Sequence, residues 1–213
     1  SWIFPRDPQF EQKAGRVLDL YQGTWQGVPL QSNEFILSAD EKTSIQVRHR
    51  KHVTLQPKQG QCMKVEHEYE RRGSLTYIAV WDVKRAKIFG RCEAQSGIVP
   101  FDRLVSDVMR QEPYCSAKRV FWIVDNGPSH HPATFPDRLA SLHEHAIAIH
   151  LPTHASWLNQ IELYFSILQR KALTPRDFNS RQEMAQRILA FQDRFTAQAK
   201  PFNWRFSADD LRK

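Results

Sequence analysis

The chain alternates between short apolar runs and polar stretches, and the spacing within each run predicts an element. From Phe10 to Tyr21, Val17, Leu18 and Tyr21 fall on one side of a short helix, and Pro29 closes that region. Residues 34–39 form a continuous apolar run, as in a buried strand. Ser44 to Arg50 alternates, with Ile45 and Val47 on one face, which predicts a second strand returning beside the first. His52 to Arg72 is polar and interrupted by Pro57 and Gly60, a long excursion with a short strand around Met63–Val65. Strands follow at Leu75–Trp81 and Lys87–Glu93, joined by a turn near Asp82–Arg85. Phe101–Arg110 then places Phe101, Leu104, Val105 and Val108 on one helical face. Beyond it come a strand at Val120–Val124, a helix at Phe135–His143 and a strand at Ala146–His150. Two helices, Ser156–Lys171 and Ser180–Ala199, close the series.

Antiparallel-type strands followed by alternating helices and strands predict an α/β fold built on a mixed sheet. No internal repeat or low-complexity tract interrupts it. Residues 1–31 are mixed in character and are expected to form a linker or N-terminal extension. Residues 32–213 are expected to form the main domain.

The 213 residues carry 30 Lys and Arg against 23 Asp and Glu, a net charge of +7, which raises the expectation of a polyanionic partner. Hydrophobic residues make up 41%, enough for a true core. Cys62, Cys92 and Cys115 are odd in number and widely spaced, so neither a redox pair nor a zinc knuckle is indicated, and a reducing compartment fits. No apolar run approaches a membrane span and no secretory pattern opens the chain. A chain that opens on Ser1 rather than Met suggests that an upstream part has been removed.

Three acidic residues stand where chemistry could use them. Asp40 ends F-I-L-S-A-D, Asp125 ends V-F-W-I-V-D, and Glu162 lies inside the helix that begins at the N-cap candidate Ser156. Two strand-end carboxylates and one helix carboxylate can converge on a divalent cation, since a hard ion such as Mg²⁺ takes oxygen donors and leaves positions for phosphate oxygens. Each also has a plain reading, as a turn residue for either aspartate and a solvated side chain for the glutamate. Asn159, three residues before Glu162, is expected to share its helical face. Asn126 and His130 follow Asp125 closely enough to support it. Asp82 also ends an apolar strand and is the main competitor, unless its strand runs antiparallel to that of Asp40. Histidine pairs at 130–131, 143–145 and 150–154 lack a standard zinc pattern, and no phosphate-binding glycine loop or nucleophile elbow is present.

Basic groups cluster at Arg48–Lys51, Arg71–Arg72, Lys84–Lys87, Arg170–Lys171 and Arg205. Arg48, Arg50, Lys51, Arg170 and Lys171 are candidates for contacts to DNA phosphates, against the plain reading of a solvated face. Some of the aromatic residues are candidates for stacking on bases.

The segments Asp40-Glu-Lys-Thr-Ser44, Val124-Asp-Asn-Gly-Pro-Ser-His130 and Ser156-Trp-Leu-Asn-Gln-Ile-Glu-Leu-Tyr-Phe165 resemble, in order, the catalytic core of mariner-like DDE transposases, in particular their bacterial insertion-sequence branch. The resemblance runs from about residue 32 to residue 206. It implies a ribonuclease H-like fold, with a five-stranded mixed sheet and helices on both faces. It implies that Asp40, Asp125 and Glu162 bind two Mg²⁺ ions, with Mn²⁺ as a substitute, and it sets Asp82 aside. The implied activity is cleavage of double-stranded DNA at element ends. Transfer of the freed 3′-hydroxyl into target DNA, usually at TA, follows, with the protein acting as a homodimer in the DNA complex. A bacterial, cytoplasmic, nucleoid-associated protein is the corresponding location. Against the family's pattern, 36 residues separate Asp125 from Glu162, slightly more than is usual there, and Gln160 stands where a proline is common. The helix-turn-helix modules that usually precede the core have no room before residue 32. The alternatives are a ribonuclease H-like nuclease that cuts without joining, and a domesticated DNA-binding module without activity.

Overall fold

The computed structural model describes residues 7–52, 55, 57–62, 64, 68–174 and 176–211. Five strands form one sheet: β1 (Glu34–Arg50), β2 (Tyr69–Asp82), β3 (Lys87–Glu93), β4 (Arg119–Val124) and β5 (Ala146–His150). Their spatial order is β3-β2-β1-β4-β5. The first three strands pair antiparallel, and β4 and β5 run parallel to β1. The helices are α1 (Phe10–Tyr21), α2 (Ile98–Met109), α3 (Phe135–Leu142), α4 (Ile161–Leu168), α5 (Arg181–Gln198) and the short α6 (Ala208–Leu211). A small hairpin, Thr24–Trp25 with Val28–Pro29, leads from α1 to β1.

Successive strand residues point to opposite faces, and both faces of this sheet are covered. Ile36, Trp81, Phe121 and Ile123 pack on one side with Leu18, Tyr164, Phe165 and Ile188 of α1, α4 and α5. Their chain neighbours Leu37, Val80, Trp122 and Val124 pack on the other with Phe101, Leu104, Val108 and Leu139 of α2 and α3. A strand buried on both faces needs consecutive apolar residues, which is why these runs do not alternate. At the β2–β3 contact a Cβ on Gly90 would lie 2.5 Å from the Tyr77 hydroxyl, so only glycine leaves that ring its place.

Two expected elements differ. Ser44–Arg50 does not return beside the first strand but continues it, so that β1 pairs with β2 along most of its length. The polar D-E-K-T-S segment is absorbed as a bulge rather than a turn. The register shifts between Lys42 and Ile45, and Ser44 takes φ 53, in the left-handed region. β2 accordingly starts at Tyr69, within the expected excursion. Of the short strand expected at Met63–Val65, Met63 and Val65 lie outside the described residues, and Lys64 bridges to Leu55.

The helix expected over Ser156–Lys171 is three pieces: a 3₁₀ turn (Ser156–Leu158), α4, and a π-helical turn (Gln169–Leu173). Asn159, at φ −83 and ψ 106, breaks the first piece from the second. Ser156 therefore does not cap α4, and Asn159 does not share a helical face with Glu162. α5 starts where the sequence places it: Ser180 Oγ accepts from Glu183 N (3.1 Å), while the Glu183 carboxylate accepts from Asn179 N (2.8 Å).

Candidate metal centre

Strand register brings the two aspartates together. β1 and β4 run parallel with Ser38 beside Ile123. Two residues further along each strand, on the same face, Asp40 comes abreast of Asp125. Asp40, Asp125 and His130 each offer a ligand atom, and these atoms all lie within 4.8 Å of one another. Glu162 stands in the first turn of α4, which covers this face. Its carboxyl is outside that tight set, yet close enough for its charge to act on Asp40 and for that of Asp125 to act on it.

Asp40 is 8% exposed and held from two directions. It accepts from its neighbour Glu41 N (2.7 Å) and from Asn159 Nδ2 (3.2 Å). The same Asn159 amide donates to the Ala39 carbonyl (3.1 Å), and its oxygen accepts from Ser38 Oγ. Ser38 Oγ in turn accepts from Ile161 N (2.9 Å), satisfying one of the free amides at the start of α4 from a neighbouring strand. Gln160 Oε1 accepts from Trp81 Nε1 (3.3 Å). The start of α4, and with it Glu162, is thus fastened to β1 and β2. Sequence periodicity does not reveal this role of Ser38 and Asn159, because it arises between elements.

Asp125 Oδ1 accepts from Gly127 N (2.8 Å) and meets His130 Nε2. His130 lies on the 3₁₀ turn Pro128–His130, with its ring 4.9 Å from that of Phe101, and its carbonyl accepts from His150 Nε2 (2.8 Å). Burial pushes the His130 imidazole down to about 4, although Asp125 opposes that shift. A neutral ring has one N–H, and the geometry assigns it to Nε2, donating to Asp125. Nδ1 is buried without a hydrogen-bond partner among the described residues. A Cβ on Gly127 would lie 3.0 Å from both Asp125 Oδ1 and His130 Nε2, so the residue has to be small. Asn126 donates to the Leu151 carbonyl (3.1 Å) and so fixes the turn. Glu41, which the sequence did not single out, accepts from Ser129 Oγ (2.7 Å) at the edge of the site.

The site holds more negative charge than it can accommodate alone. Burial pushes the Asp40 carboxyl up to about 8, and the adjacent Asp125 and, more weakly, Glu162 add to that. The amide of Glu41 opposes it. Burial also raises Glu162, with the charge of Lys42 opposing. Crowded carboxylate oxygens are the donor set a hard divalent cation takes, and a cation there would relieve their repulsion. The residues present fit such an ion.

Asp82 is elsewhere. It pairs with Leu37 while Asp40 pairs with Ala79, and it accepts from Lys84 N (3.1 Å), Arg85 N (2.8 Å) and Tyr114 Oη (2.7 Å) to close the β2–β3 turn. His130 is the one histidine in the metal-competent group found among the described residues. Of the basic residues singled out, Arg48 is exposed with its guanidinium 4.9 Å from the Tyr69 ring centroid. Arg50 pairs with Asp177 (2.6 Å) and Lys51 with Glu68 (2.9 Å). Arg170 and Lys171 are exposed on the π-turn. Trp157, 49% exposed and edge-on to Phe206 at 5.5 Å, stands just ahead of α4.

The sequence matches the family described as DDE superfamily endonuclease over residues 36–185, a span containing all three acids. No curated protein gives a significant sequence match. Among solved structures the fold is similar to the Mos1 mariner paired-end complex with Mn, at TM-score 0.61 and 18% identity, covering 93% of this chain and 59% of that one. It is similar too to the Mos1 transposase paired-end complex with left transposon end, at TM-score 0.58 and 16% identity, covering 94% and 59%. A further likeness is to the Mos1 Strand Transfer Complex, at TM-score 0.54 and 15% identity, covering 95% and 66%. The chain thus spans less than two thirds of these relatives, and the likeness establishes the ribonuclease H-like fold.

Proposed function

Because the chain belongs to the DDE superfamily endonucleases, we propose that it is the catalytic core of a transposase, residues 32–213 carrying the chemistry and residues 1–31 leading into it. The observation that carries this reading is the register-matched pair Asp40 and Asp125 beneath Glu162. In this reading the three carboxylates hold Mg²⁺, two ions in the working complex, with Mn²⁺ able to substitute. When bound, such ions supply Lewis-acid polarisation of the phosphate and an activated attacking oxygen.

The protein's own residues prepare that chemistry. Asn159 fixes Asp40 to the start of α4, and the Nε2–H of His130 and the amide of Gly127 fix the rotamer of Asp125. Ligands held in advance do not have to be ordered when substrate arrives. Cleavage forms a bond from water oxygen to phosphorus and breaks the bond to the 3′ oxygen, which leaves as a hydroxyl. Joining repeats the exchange, with that hydroxyl attacking a target phosphodiester, at a TA step in the expected case. Double-stranded DNA is the substrate, and a homodimer holding two ends is the expected assembly. A bacterial insertion sequence is the proposed source.

The test is a pre-nicked element end and a TA-containing target incubated with the protein in Mg²⁺, Mn²⁺ or EDTA. Metal-dependent joining that disappears in Asp125→Asn while the circular dichroism spectrum is kept is the expected result. Cutting without joining would leave a nuclease. Normal cutting by Asp125→Asn would overturn the assignment of the site.

A further inference from the structure

We infer that the face formed by the π-turn after α4 and the adjoining side of α5 is a second site for the phosphate backbone of duplex DNA, away from the reacting bond. The inference rests on the DNA-processing reading above and assigns that substrate a surface.

A groove of about 530 Å³ runs here, lined by Lys171, Arg187, Phe191, Arg194, Phe195 and Gln198 together with Ala199. No carboxylate lines it. Arg176 and Arg194 both act on Arg187, whose guanidinium is held below its ordinary value by burial first and by these like charges second. Arg187 Nε is buried and finds no hydrogen-bond partner among the described residues. On other faces several cations are neutralised, since Arg50, Lys51, Arg72, Arg91, Arg119 and Arg138 each meet a carboxylate, while unpaired ones such as Arg48 and Lys118 do not line this groove. Lys171, Arg176, Arg187 and Arg194 form no ion pair with a described carboxylate.

Unneutralised cations gathered on one face repel, and a polyanion converts that cost into attraction. A π-turn within a helical segment is a local irregularity often found at functional positions, and here it carries Lys171 to the groove.

The experiment is equilibrium binding of a fluorescent duplex by the 213-residue chain across a salt series, in EDTA so that no cutting occurs. Arg176→Gln with Arg194→Gln is expected to make the slope of log K against log salt shallower by about two, with the thermal midpoint unchanged or raised. A control removing equal charge from the other side, Arg103→Gln with Lys118→Gln, should leave the slope as it was. An unchanged slope in the first pair, or an equal change in both, would overturn the site. Metal-dependent cutting is read separately. Its absence alongside the expected change in slope would overturn the proposed function and keep this surface as a DNA-binding one.

Discussion

Asn159 joins three groups through one buried amide, so its loss should be felt in both stability and chemistry. Alanine there leaves Ser38 Oγ and the Ala39 carbonyl short of a partner, at a cost of about 1–3 kcal/mol, and frees Asp40 to change rotamer. Urea unfolding should show the loss, and DNA cutting should fall by more than stability alone explains. Gly127→Ala separates the two effects. Its new methyl must displace Asp125 or His130, so cutting should drop sharply, while a change confined to the Asn126–His130 turn leaves the thermal midpoint within a few degrees. Asp82 provides a test by pH. Burial holds its carboxyl above the ordinary 3.8, so the folded state binds that proton more tightly than the unfolded chain. Its contribution is therefore greatest at low pH and is lost as pH rises through the elevated value. The stability of the wild type minus that of Asp82→Asn should fall as pH rises from about 4, the ordinary carboxylate range, through the elevated value. A difference that rises with pH would reverse the sign argued here.

At the scale of elements, the chain was most legible where one period governs one segment. The bounds of α1, β3 and β5 are those the spacing predicts. The errors lie where a tertiary partner overrides a local signal. Asp40-Glu-Lys-Thr-Ser44 is polar enough to read as a turn, but β2 supplies pairing on both sides of it, so the strand bulges and continues. The helix over 156–171 has unbroken apolar spacing, yet Ser38 from β1 captures Ile161 N and ends the 3₁₀ turn at Asn159. The acids themselves were visible, since each ends or enters an apolar run. The fact that Asp40 and Asp125 lie abreast was not, because parallel register between strands 85 residues apart is set by packing. The cap of α5 is a local signal that should behave locally. Ser180→Ala should cost about 1 kcal/mol in chemical denaturation, with metal-dependent cutting unchanged because Ser180 is outside the site.

For the whole molecule, a sheet buried on both faces gives a rigid platform, and that rigidity is what allows crowded carboxylates to persist at one point. A softer fold would let Asp40 and Asp125 swing apart. Here Asp40 is buried and its neighbours are fastened, so their repulsion is retained in the folded state and is absent when the chain unfolds. Functional sites commonly carry such a stability deficit. Two melting curves should therefore cross. Without divalent metal, Asp40→Asn should unfold at a higher temperature than wild type, since the amide avoids the cost of burying that carboxyl beside Asp125, either charged or by taking up a proton, while Asn159 and the Glu41 amide can still find an oxygen. With Mn²⁺ at about a hundred times its dissociation constant, wild type should gain about 2.7 kcal/mol. For a chain of this size that is a rise of roughly 5–10 °C, and Asp40→Asn should gain little of it. Wild type that is the more stable protein in EDTA, or a variant that gains as much from Mn²⁺ as wild type does, would show that Asp40 is not strained by its neighbours or does not hold the ion. The crossing would tie the fold's rigidity to its chemistry, since both follow from holding like charges together until a cation arrives.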